Sequence, residues 1–98
     1  MVRKLIQWNE EKNQLLQLQR GVSFEMVLDA LASGKITTKM RHPNRKRYPN
    51  QEIFVVELHN YLYYVPFVES EDHIFLKTII PSRKLQKEFK DASPKNNL

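Results

Sequence analysis

Glu52-Ile53-Phe54-Val55-Val56-Glu57-Leu58-His59-Asn60-Tyr61-Leu62-Tyr63-Tyr64-Val65-Pro66-Phe67-Val68 reads as a β-hairpin. Two runs rich in β-branched and aromatic residues flank His59-Asn60, a gap whose length suits a tight hairpin turn. The pattern predicts strands over 52–58 and 61–68. Glu69-Ser70-Glu71-Asp72 follows as an acidic turn, and His73 to Ile80 as a third strand, which completes an antiparallel meander. Pro81 ends that strand, because proline has no N–H to give a sheet. Ser82 is placed to cap a short helix from Arg83 to about Lys90, with Leu85 and Phe89 facing inward at i, i+4.

Upstream of the hairpin, Lys35 to Gln51 is basic. Ile36, Thr38 and Met40 alternate and predict a short strand, while His42-Pro43-Asn44 and Tyr48-Pro49-Asn50 read as turns of an exposed loop. Further upstream the period becomes helical. Asn9 caps a helix over Glu10 to Arg20, with Glu10 and Glu11 at its positive end. Its thin apolar side is Leu15, Leu16 and Leu18. Gly21 suits the left-handed position after a helix, and Val22 can fold back onto Leu16. Ser23 caps a second helix carrying Phe24, Val27, Leu28 and Leu31, which Gly34 ends. So short a link makes the pair a helix hairpin. Leu5 to Trp8 is a short opening strand.

Phe54, Val56, Leu62, Phe75 and Ile79 need a cover, and the helix hairpin is available to supply it. The expected fold is therefore α+β with two layers: an N-terminal helix hairpin packed on an antiparallel sheet, and a short C-terminal helix. A chain of 98 residues suffices for one domain, expected over 1–90 with a flexible tail over 91–98. There is no cysteine, hence no disulfide framework and no thiolate metal site. Met1 to Gln7 lacks the long apolar run expected of a signal peptide, and no apolar run reaches the ~18–20 residues of a membrane span. These features predict a soluble cytoplasmic protein that uses no membrane, no metal and no cofactor.

The charge is uneven. Sixteen Lys and Arg stand against eleven Asp and Glu, a formal net charge of +5. No acid falls between Asp29 and Glu52, yet Lys35, Lys39, Arg41, Arg45, Lys46 and Arg47 all do. Lys77, Arg83, Lys84, Lys87 and Lys90 add a second cationic group. If folding joins the two, the resulting face suits a phosphate backbone. The Pro81-Ser82-Arg83-Lys84 corner adds helix N–H groups that favour an anion.

Several enzyme signatures are missing: a Gly-rich phosphate loop, His-Glu-x-x-His, and a nucleophile elbow. His42, His59 and His73 lack ligand spacing, and the adjacent Asp72-His73 reads as turn polarity. RNA cleavage needs no metal. The 2′-hydroxyl attacks its own phosphate while the protein orients it, neutralises the phosphorane and moves protons. Arg45, Arg47, Arg83 and Lys84 are candidate clamps. His42 and Tyr48 are candidate proton movers or base stackers. The plain alternative for the loop cations Arg45, Lys46 and Arg47 is solvated charge, and for Tyr61, Tyr63 and Tyr64 it is strand packing.

Trp8-Asn9-Glu10-Glu11-Lys12-Asn13, Gly21-Val22-Ser23-Phe24-Glu25 and Ile79-Ile80-Pro81-Ser82-Arg83-Lys84 together resemble the BrnT family. Its members are toxins of type II toxin–antitoxin pairs with a RelE-like ribonuclease fold. Asn9 stands where the family has Asp, Leu16 where it has Asn, Gln19-Arg20 where it has Lys-His, and Pro81-Ser82 where it has Ser-Ala. Arg83 matches the family's near-C-terminal arginine and Lys12 its helix-one lysine. The resemblance implies RNA cleavage that inhibits translation and neutralisation by a cognate antitoxin, often of ribbon-helix-helix type. The expected catalytic set is Arg83, Arg47, Lys84 and His42. The expected RNA-binding set is Lys12, Lys39, Arg41, Arg45, Lys46 and Tyr48. The alternatives are a binding module of the same fold without chemistry, and a toxin acting on a protein target.

Overall fold

The computed structural model describes residues 4–34 and 36–91, with the side chains of all these except 36–38 and 89–91. The chain runs β1 (Leu5–Gln7), α1 (Glu10–Arg20), α2 (Phe24–Ala32), β2 (Ile36–Arg41), β3 (Gln51–Leu58), β4 (Tyr61–Glu69), β5 (His73–Leu76), β6 (Ile80–Pro81) and α3 (Arg83–Asp91). The expected tail overlaps α3 only at Asp91, and its remainder lies outside the described residues, as does Lys35. Among the described residues no helix is long and apolar enough to cross a membrane.

The hairpin and meander form as their residues dictate. β3 and β4 pair antiparallel from Gln51↔Val68 to Leu58↔Tyr61. His59 and Asn60 both take positive φ (54° and 63°), the backbone of a primed two-residue turn. The third strand is broken: β5 pairs with the Phe67–Glu69 end of β4, and β6 with Tyr63 and Tyr64. At the break the Arg20 guanidinium donates to the Ile79 carbonyl (2.5 Å), so the last residue of α1 satisfies a backbone oxygen that the ladder leaves out. β2 extends the sheet antiparallel beyond β3. β1 is the exception to the antiparallel rule and lies parallel to β5, giving the order β1-β5-β4-β3-β2.

The helix boundaries follow their caps. The Asn9 side chain accepts from the Lys12 amide, and the Ser23 hydroxyl from the Met26 amide. Gly21 sits at φ 67° and donates its amide to the Gln17 carbonyl, which closes α1. The pair then covers one sheet face. Leu16, Val22, Phe24, Val27 and Ala30 meet Phe54, Val56, Tyr63, Val65 and Phe67 in the main core. Phe24 is fully buried and stacks on Trp8 with centroids 5.5 Å apart. Truncating such a ring to alanine costs about 3–5 kcal/mol.

Two expectations about faces need correction. Of the three leucines on α1 only Leu16 is buried, while Leu15 and Leu18 are exposed by 49% and 84%. Asn13 takes the inner position instead. Its side chain accepts from the Phe24 amide (2.8 Å) and donates to Glu25 (2.9 Å), so a buried amide ties the two helices. Leu62 and Phe75 do not pack beneath the hairpin. Leu62 faces the opposite side, where it joins Val55 and Leu85 under α3, and Phe75 is an exposed ring with the Lys77 ammonium 5.4 Å from its centroid. α3 thus covers one end of the second sheet face and leaves the rest open.

Candidate nucleic-acid interface

The open part of that face is a groove of about 210 Å³ lined by His42, Pro43, Ile53, Tyr64, Pro66 and Ile80. Strand register explains the set. Ile53 pairs with Pro66 across β3 and β4, and Tyr64 pairs with Ile80 across β4 and β6. Ile53 and Pro66 are buried and form an apolar floor. His42 and Pro43 enter from the loop that leaves β2, and Ile80 from the opposite side of β4.

That loop is built rather than loose. The His42 amide donates to the Gln51 carbonyl and the Gln51 amide to the Tyr48 carbonyl, which closes its base. Asn44 organises its turn: its side chain accepts from the Arg47 amide and its carbonyl from the Tyr48 amide. The Asn44 amide donates in turn to His42 Nδ1 at 3.0 Å. An acceptor at Nδ1 leaves the neutral ring's proton on Nε2, so His42 is arranged to donate from Nε2. His42 packs against Tyr48, with centroids 4.5 Å apart at 39°, and the Arg47 guanidinium lies 5.6 Å from the Tyr48 centroid. Arg47, Tyr48 and His42 therefore form a continuous stack leading to the groove. Arg45 and Lys46 are exposed at the tip of the same turn.

The other cationic corner is fixed by the backbone of Leu62. Its carbonyl accepts from the Ser82 amide and its amide donates to Gln86 Oε1, both at 3.0 Å. Ser82 is buried and caps α3 through its hydroxyl, which accepts from the Leu85 amide. Arg83 and Lys84 are exposed on this first turn, and among the described residues no ion pair joins Arg83 to Glu88. Tyr64 packs beside Val55, Leu62 and Leu85, so the groove and the start of α3 share that residue.

Not every candidate converges here. Lys39 lies toward the hairpin side, 3.5 Å from Glu69 and 5.7 Å from the Phe67 centroid. Arg41, two residues on, shares that side and is paired in register with Glu52. Lys12 sits on α1, beyond the main core from the groove. The Asp72–His73 pair, 2.7 Å apart, is at the exposed acidic turn. Among the described residues no three His, Asp or Glu side chains are grouped as metal ligands.

Tyr64 is the site residue that sequence reasoning passed over. Strand alternation sends Tyr61 and Tyr63 to the helix side and Tyr64 to the other, but three tyrosines among apolar neighbours read alike as packing. Its pairing with Ile80, just before the cationic corner, is a register that only the folded sheet shows. Comparison with protein-family models, curated proteins and solved structures finds no match.

Proposed function

We propose that the chain is a ribonuclease toxin with a RelE-like fold, related to the BrnT family, that cleaves RNA without a metal and so inhibits translation. The observation that carries this reading is the placement of the Arg47–Tyr48–His42 stack and the Arg83–Lys84 helix start along one open sheet face. RNA lies across that face. Arg47, Arg83 and Lys84 neutralise the scissile phosphate as charge builds on it, with Arg45 and Lys46 on flanking phosphates. The bond from the 2′-oxygen to phosphorus forms as the bond to the 5′-oxygen breaks. The leaving oxygen takes a proton from solvent and the 2′-hydroxyl proton is lost to solvent, while His42, whose Nδ1 accepts from the Asn44 amide, offers Nε2–H to the RNA as a hydrogen-bond donor. A cognate antitoxin, of ribbon-helix-helix type, neutralises the toxin by covering this cationic face from solution.

Expression of the chain alone, followed by analysis of total RNA, tests the reading. The expected result is growth arrest with RNA breakdown, and cleavage of RNA by the purified chain in the presence of a chelator. Arrest with intact RNA points to a protein target, and intact RNA without arrest to a binding module.

A further inference from the structure

We infer that the groove between the loop and β6 holds a single unstacked nucleobase, so that the interface reads one position of its RNA through a pocket. The inference rests on the RNA-binding reading above and adds to it a defined subsite.

Size limits the occupant. Drug-sized ligands fill pockets of about 300–1,000 Å³, whereas this one is about 210 Å³. It admits one planar ring system and excludes a helix. The lining matches the two characters of a base. Ile53, Pro66 and Ile80 offer apolar surface to ring faces, while the His42 imidazole and the Tyr64 phenol offer aromatic surface and polar atoms for a ring edge. With Nδ1 taken by the Asn44 amide, His42 has Nε2–H left for an acceptor on that edge. The stack behind His42 stiffens this wall, because Tyr48 backs the imidazole and Arg47 lies by Tyr48.

Charge distinguishes a base from an aromatic side chain of a partner protein. A nucleotide brings a phosphate on each side of its base. Cations follow along the chain from both walls of the groove: Arg45, Lys46 and Arg47 come after His42 and Pro43 on the loop, and Arg83 and Lys84 come after Ile80 at the start of α3. Bases splayed from a single strand onto aromatic side chains, with phosphates on Arg and Lys, are the usual form of single-strand recognition.

The test uses the purified full chain and short single-stranded oligoribonucleotides with 2′-O-methyl sugars, which lack the nucleophile and remain intact. One series carries 2-aminopurine at each position in turn, and a second carries an abasic residue there. A fluorescence change concentrated at one position is expected, and loss of the base at that position should weaken binding roughly 5- to 150-fold. Ile80→Trp, which fills the groove from an exposed strand, should weaken the intact oligonucleotide to the level of the abasic one and leave the abasic one unchanged. His42→Ala, which removes the opposite wall, should do the same if the tryptophan variant fails to fold. Equal responses at all positions, with RNA still bound, would overturn the pocket and leave the RNA reading standing. Absence of RNA binding by the folded wild-type chain would overturn both.

Discussion

Arg83 illustrates how a residue's value depends on what precedes it. Ser82 caps the helix and is buried, so the first turn of α3 is held while the Arg83 side chain extends into solvent. If Arg83 stabilises a transition-state phosphate, Arg83→Ala should cost about 2–4 kcal/mol in the chemical step, roughly thirty- to thousand-fold in rate. The variant should remain folded, as read by thermal unfolding. Arg83→Lys should rescue only partly, because lysine keeps the charge without the planar fork. An exposed ion-pairing arginine would instead cost at most ~1 kcal/mol of stability and no activity. Full toxicity in a folded Arg83→Ala chain would exclude Arg83 from the site. Its helix-start position was legible from Pro81-Ser82 alone, because capping acts within a few residues. The role of Tyr64 was not, because its neighbours on the groove come from residues 42 and 80.

At the scale of elements, turns and caps carry the hairpin of α1 and α2. A β-carbon at Gly21 would meet nothing within 4 Å, so a substitution there is opposed only by its φ of 67°. Gly21→Ala should therefore destabilise by about 1 kcal/mol in denaturant unfolding. Gly21→Asn should cost less, since asparagine tolerates the left-handed region. A larger loss in both would show that the site is sterically closed. The α1 core face escaped the sequence reading for a different reason. Leucines at 15, 16 and 18 cannot all face one direction on a helix, and the buried place beside Leu16 went to Asn13. Hydrophobicity ranks a residue's preference for burial but does not see that the Phe24 amide needs an acceptor there.

For the whole molecule, two carboxylates tie separate segments and contribute to the acid response. The Asn13 amide holds the Glu25 carboxyl below the usual 4.5, helped by its own backbone and Ser23 and opposed by burial. The Lys4 ammonium holds Glu69 below the usual 4.5, with Lys39 assisting against burial. In both cases the unfolded chain takes up protons first as the pH falls. The stability from these contacts is therefore complete above about pH 4.5–5 and is lost below it, as pH falls through the lowered folded-state values. Thermal unfolding should show a Tm independent of these groups between about pH 6 and 7 and falling below about pH 4.5. The double variant Glu25→Gln, Glu69→Gln should lower Tm near neutrality and flatten the acid limb. An unchanged acid limb would assign acid unfolding to other groups.

The pieces were legible in the amino-acid order: the meander around His59-Asn60, the helix hairpin around Gly21, and the capped helix after Pro81. Each rests on backbone φ preferences and hydrogen bonds that close within a few residues. Which side each piece faces follows from packing between segments far apart in the chain. β4 is apolar on both faces, so alternation could not assign Leu62 to α3 or Tyr64 to the groove. The parallel docking of β1 on β5 joins residues 5–7 to 73–75, and the groove joins His42 to Ile80. Such choices depend on apolar surface that only distant segments can bury, and on backbone groups such as those of Leu62 and Ile79 that only distant side chains satisfy.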